Sequence, residues 1–158
     1  MNELDFSGKQ VLVVGGSSGI GNGIAQAFRT RGAQVAVCGT RASAKDYSAE
    51  DGSDLTGLAY AQLDVTDAGA LPAGRADVVY SRCVLAHLSD VAGVLATWRA
   101  WVAPNGRLVL EEPERIDTDD PVFTAYLAAT ERAVAARGAT MLAGSLVARA
   151  VAELDGVV

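Results

Sequence analysis

The run Val-Leu-Val-Val-Gly-Gly-Ser-Ser-Gly-Ile-Gly, residues 11–21, constrains this chain more than any other feature. Four consecutive apolar residues, three of them β-branched, read as a strand buried on both faces. Glycines at 15, 19 and 21 let the backbone turn tightly and approach a bound group closely, while Ile20, Ile24 and Phe28 carry on at helical spacing. A strand turning through glycines into a helix aims the first free helix N–H groups at the turn, which suits a phosphate. Gly32 stands where a cap would end that helix.

The alternation continues downstream. Gln34 to Cys38 is a second apolar run, followed by Gly39-Thr40-Arg41 and a polar stretch to Gly57 in which a full crossover helix looks weak. Leu58 to Val65 reads as the third strand and carries Asp64 near its end. Thr66 to Arg75 is turn-rich, with Pro72, Gly69 and Gly74 where an ordinary helix would have to fit. Ala76 to Ser81 is the fourth strand, Val91 to Val102 an amphipathic helix, and Pro104-Asn105-Gly106 a turn into a fifth strand, Arg107 to Glu111. Pro121 to Arg137 and Ala139 to Leu154 look helical, separated by Gly138. Strand and helix in alternation predict an α/β fold: a Rossmann-like three-layer α/β/α sandwich on a parallel sheet of about five strands, ordered 3-2-1-4-5. Any ligand crevice should lie over Gly15 to Gly21, where the strand order reverses.

At 158 residues the whole chain, 1–158, suits one domain, and 50% apolar against 20% charged residues argues for a globular protein. A net charge of -6 argues against nucleic acid and anionic membrane as partners, since both need a clustered basic surface. Met-Asn-Glu-Leu-Asp-Phe at the N-terminus does not read as a secretory signal, and no apolar run is long enough to span a bilayer, so a cytoplasmic protein is expected. Cys38 and Cys83 read as small core hydrophobes at the ends of buried strands.

Residues 6–67 resemble the short-chain dehydrogenase/reductase family, through Gly-Lys at 8 and 9, Val-Gly-Gly-Ser-Ser-Gly-Ile-Gly at 14 to 21, and Leu-Asp-Val-Thr-Asp at 63 to 67. That resemblance implies a diphosphate lined by Gly15, Ser17, Ser18, Gly19, Ile20 and Gly21, and an adenine beside Asp64 and Val65. With Thr40 and Arg41 after the second strand and no acid before Asp46, a 2′-phosphate would be attracted there, so NADP is expected over NAD. The family's catalytic Tyr-x-x-x-Lys is absent: the lysines are Lys9 and Lys45, and none follows Tyr47, Tyr60, Tyr80 or Tyr126 by four residues.

Residues 71–150 instead resemble the C-terminal part of a class I S-adenosylmethionine-dependent methyltransferase. The matching words are Leu-Pro at 71 and 72, Ala-Asp-Val-Val-Tyr-Ser-Arg-Cys-Val-Leu-Ala-His-Leu at 76 to 88 and Trp-Val-Ala-Pro-Asn-Gly-Arg-Leu-Val-Leu-Glu-Glu-Pro at 101 to 113. By that likeness the loop from Ser81 to Cys83 passes the methionine end of the cofactor. The two acids that this family uses to hold a cationic cofactor are missing, with Val13 and Val14 at the first place and Gly39-Thr40-Arg41 at the second.

Other chemistry has plainer readings. His87, the sole histidine, lacks a partner by spacing and reads as a loop or helix-start residue; Glu111, Glu112 and Glu114 read as a solvated strand end rather than a metal set; Trp98 and Trp101 read as packing. The mismatched segments, 1–67 and 68–158, are what a deliberate recombination of two homologous folds would produce. The expectation is an engineered chimeric scaffold with a residual NADP phosphate loop and neither a catalytic residue nor a bound metal. The alternative is a degenerate methyltransferase relative that binds S-adenosylmethionine. A monomer is expected if the terminal helices cover the sheet, and a homodimer if its edge or those helices pair.

Overall fold

In the computed structural model, residues 4–67, 71 and 74–154 are described. Two compact units emerge, Met1–Arg82 with Ala96–Leu110, and Cys83–Leu95 with Glu111–Val158.

The first unit carries the sheet, with strands β1 (Gln10–Val14), β2 (Gln34–Gly39), β3 (Ala59–Gln62), β4 (Ala76–Arg82) and β5 (Val102–Glu111). All five are parallel and ordered β3-β2-β1-β4-β5, a Rossmann-like arrangement. β1 is central because its side chains can be buried on both faces: Val11, Leu12, Val13 and Val14 are each almost inaccessible to solvent. It pairs with β2 through Val11 and Val35, and with β4 through Val14 and Ser81. Helix α1 (Gly19–Arg29) lies against β1 and β2 and buries Ala25 completely. Phe28, with Phe6 edge-on to it at 4.8 Å, closes one end of the same core.

Between β2 and β3 there is no crossover α-helix. Two 3₁₀ turns, Ala44–Asp46 and Ala49–Asp51, take its place, each started by a serine in a capping box. What keeps this polar stretch on the fold is Asn22. Its Nδ2 donates to the carbonyls of Gly16 and Asp54, at 3.2 and 3.0 Å, and its Oδ1 accepts from Asp54 N at 2.9 Å. One buried amide thus ties the glycine turn to a segment more than thirty residues on.

Several boundaries differ from the sequence reading. β3 is shorter than Leu58 to Val65, because the chain turns at Asp64, whose carboxylate accepts from Thr66 N and Oγ1. β5 starts at Val102, directly after helix α2 (Val91–Trp101), and so includes the expected turn at Pro104-Asn105-Gly106. Asn105 takes a left-handed φ of 64° there, and a side chain at Gly106 would press on the Asp77 carbonyl. Ile20 does not share the buried face of Ile24 and Phe28: it sits in the first turn of α1 and is 64% exposed. Cys83 is not a core residue: it lies one residue beyond β4, exposed, at φ 53°, whereas Cys38 is buried. Half of the turn-rich stretch 66–75 (residues 68–70, 72 and 73) lies outside the described residues, as do 1–3 and 155–158.

Trp98, in the last turns of α2, is fully buried, stacks on Trp101 at 6.1 Å and donates from Nε1 to the Val65 carbonyl at 3.0 Å. The indole thereby holds the turn that follows β3.

In the second unit, a turn at Leu85–His87 is capped by Glu112, whose Oε1 accepts from Val84 N and Leu85 N. Helix α3 (Pro121–Ala135) is capped by Asp120, and α4 (Gly144–Ala152) buries Val147 and Ala150. No described helix is long and apolar enough to cross a membrane.

Trp98→Ala should lower the unfolding free energy in urea by about 3–5 kcal/mol, the usual cost of deleting a buried indole. A loss below about 1 kcal/mol would show that α2 is not held by this residue. Asn22→Ala should cost about 1–3 kcal/mol, because it leaves buried backbone groups unpaired, and should expose 43–54 to limited proteolysis.

Candidate functional site

The glycine turn forms as the spacing requires. Gly15 has φ 70°, open to glycine at little cost, and delivers the chain into α1. Gly21 meets the turn itself: any Cβ on it would collide with the Gly15 carbonyl oxygen. The loop is therefore closed tightly on itself at the edge of β1, between β2 and β4, where the strand order reverses. Gly16, Ser17, Ser18 and Gly19 complete it. Ser17 is buried, and Ser18 occupies the N-cap position of α1 without a side-chain cap hydrogen bond.

The α1 end of this loop is already engaged by the chain. Gly19 N donates to the Gly52 carbonyl at 2.9 Å, and the Ser53 hydroxyl donates to the Ser17 carbonyl at 2.6 Å. Next to it Arg41 forms a bidentate pair with Asp51, Nη1 to Oδ2 at 2.7 Å and Nη2 to Oδ1 at 2.8 Å. The same guanidinium donates to the Asp46 carbonyl and lies 4.5 Å over the Tyr47 ring. Asp51 also accepts from Ser48 N and Oγ. Hydrogen bonds from Arg41, and then from the Ser48 amide, hold the Asp51 carboxyl well below the usual carboxylate range, so the pair stays charged. Both side chains are partly exposed, 42% and 28%, so the ion pair is a modest stabiliser whose geometry matters more than its energy.

Arg41, reserved by the sequence reading for a 2′-phosphate, is thus answered internally. Asp51 was the residue that reading did not single out; its signal was the serine three residues before it. Thr40 offers its carbonyl to the Gln62 amide. Asp64 is exposed in the turn that follows β3; Thr66, by side chain first and then backbone, lowers its pKa. Val65 is held by Trp98. Ser81, opposite Val14 in the register, is fully buried and its hydroxyl has no hydrogen-bond partner among the described residues.

The structure therefore brings Gly15 to Gly21, Thr40 and Arg41 around one strand-to-helix turn, with Asp64, Val65 and Ser81 at the ends of neighbouring strands. Val13 is sealed in the core with Val11, Val35 and Val37, so an acid at that place in β1 has no counterpart here. The other candidates belong to the second unit. His87 is exposed; Glu112 caps a turn, and Glu114 accepts from Ser145 Oγ at 2.6 Å. No three His, Cys, Asp or Glu side chains among the described residues converge as metal ligands would.

Residues 2–143 match the model of a family described as a methyltransferase domain. The fold is shared with an O-methyltransferase family protein from Burkholderia thailandensis, with a TM-score of 0.66, 19% identity, and coverage of 92% of this chain and 45% of that one. It is shared too with an S-adenosylmethionine-dependent methyltransferase from Mesorhizobium loti, with a TM-score of 0.53, 24% identity, and coverage of 70% and 50%. In sequence, the chain is 43% identical over 68 residues to the 3-oxoacyl-[acyl-carrier-protein] reductase FabG of Chlamydia muridarum, covering 42% of this chain and 27% of the reductase. It is 32% identical over 116 residues to the D-threitol dehydrogenase of Mycolicibacterium smegmatis, covering 65% and 45%. The chain thus spans less than half the length of either of these relatives. The family match, in contrast, runs through all five strands of the sheet, and on that basis the protein belongs to the methyltransferase-domain family.

Proposed function

We propose that this chain binds S-adenosylmethionine over the glycine turn, as a degenerate relative of the methyltransferases. The observation that carries the reading is a closed glycine loop at the point of strand reversal in a chain of this family. Gly15, Ser17, Ser18, Gly19, Ile20 and Gly21 would line the ligand, Asp64 and Val65 would meet the adenine, and Ser81 would face the methionine end. The Arg41–Asp51 pair supports this choice, since an unanswered cation would repel a sulfonium ligand and a paired one does not. Ligand binding is the property that these residues account for.

A second reading has its own support. The 68-residue identity to a reductase favours a chimera in which residues 1–67 come from dehydrogenase stock and take NADP through Gly15 to Gly21 and Arg41. The likeness to the threitol dehydrogenase covers 116 residues and so extends past that boundary.

Parallel calorimetric titrations at low salt separate the two. S-adenosylmethionine and S-adenosylhomocysteine should bind, and NADP should not; NADP binding alone, lost on Arg41→Ala, would overturn the first reading in favour of the second. With Val13 where an acid would hold the amino group, 5′-methylthioadenosine should bind within about threefold of S-adenosylmethionine, equivalent to less than about 1 kcal/mol. Asp64→Ala should weaken adenosyl ligands by about tenfold, the loss of one charge-assisted hydrogen bond. An unchanged affinity would remove Asp64 from the site.

A further inference from the structure

Asp51 and Gly52 are consecutive, and each fills a position that an anion would otherwise take. The Asp51 carboxylate sits in the fork of Arg41, and the Gly52 carbonyl oxygen sits on the Gly19 amide at the start of α1. A phosphate oxygen seeks those same two donors, a guanidinium and a helix N-terminal N–H. The occupancy is built. Ser48 donates from N and Oγ to the carboxylate, Gly52 adopts a left-handed φ of 66° that turns the chain toward α1, and Ser53 and Asp54 are bonded to Ser17 and Asn22 on the far side.

We propose that residues 48–54 are a selectivity latch, an internal phosphate mimic that keeps phosphate-bearing nucleotides out of a glycine loop otherwise suited to them. A neutral or cationic adenosyl ligand needs neither Arg41 nor a free Gly19 amide, so the latch leaves it room. A nucleoside phosphate must displace a bidentate carboxylate and a peptide carbonyl together. The inference rests on the adenosyl-binding reading only for the ligand that the latch admits. Its exclusion of phosphates stands on Arg41, Asp51, Gly19 and Gly52 alone.

The test titrates the intact protein and Asp51→Asn with NADP, inorganic pyrophosphate and S-adenosylmethionine. Asp51→Asn should gain affinity for NADP and pyrophosphate by about tenfold or more, one hydrogen-bonded charge pair's worth, and the gain should vanish in the Arg41→Gln, Asp51→Asn double variant. Affinity for S-adenosylmethionine should move by less than about threefold. Should Asp51→Asn unfold, Ser48→Ala, which removes only the hydroxyl bond to the carboxylate, should still show a gain of about threefold for pyrophosphate. Phosphate ligands that bind the intact protein as tightly as the variants would overturn the latch. A gain for pyrophosphate without S-adenosylmethionine binding to the intact protein would keep the latch and overturn the adenosyl reading; S-adenosylmethionine binding with no gain would do the reverse.

Discussion

Asn22 is the side chain on which the arrangement around the glycine loop depends. β2 ends in a glycine, and the chain that follows has too few apolar residues to form a crossover helix that could pack by hydrophobic burial. The polar stretch is held instead by hydrogen bonds, of which the buried amide of Asn22 makes two to Asp54 and a third back to Gly16. A buried amide that is fully paired stabilises modestly, while the same groups left unpaired would cost more, so the pin works mainly by making alternatives expensive. Because one of its partners is the Gly16 carbonyl, it couples the shape of the glycine turn to the path of residues 48–54.

That coupling joins a turn shaped for one kind of ligand to surroundings charged for another. The turn keeps every glycine needed to approach a diphosphate, including Gly21 against the Gly15 carbonyl. Around it, the cation that would read a phosphate is neutralised, and the acid that would read an amino group is replaced by buried Val13. Electrostatically the site is closer to neutral than either of the two cofactor chemistries would make it. An adenosyl group, large and mostly uncharged, is the part common to both cofactors, and it is the part that the proposed reading assigns to this surface.

Much of this fold was legible in the chain. Val11 to Val14 read as a strand buried on both faces, and the order β3-β2-β1-β4-β5 is the one expected of a Rossmann-like sheet that reverses at β1. The strand ends were less legible because they are set by tertiary hydrogen bonds: Asp64 turning on Thr66, and Trp98 reaching Val65. Cys83 misled because the apolar pattern runs past the end of β4, where the backbone departs into a left-handed conformation and exposes the thiol. Of the candidate site, the glycines, Asp64 and Ser81 are legible from motif and position, Asp51 only as the far end of a capping box with Ser48, and Asn22 from no motif.

The sequence by itself determined the sheet, its order and the glycine turn, because periodicity and glycine placement act within a few residues and leave the backbone few choices. Only the tertiary structure decided the electrostatics of the site. Whether Arg41 is a free cation depends on Asp51, ten residues away in sequence but 2.7 Å away in space, and no local pattern encodes a distance of that kind.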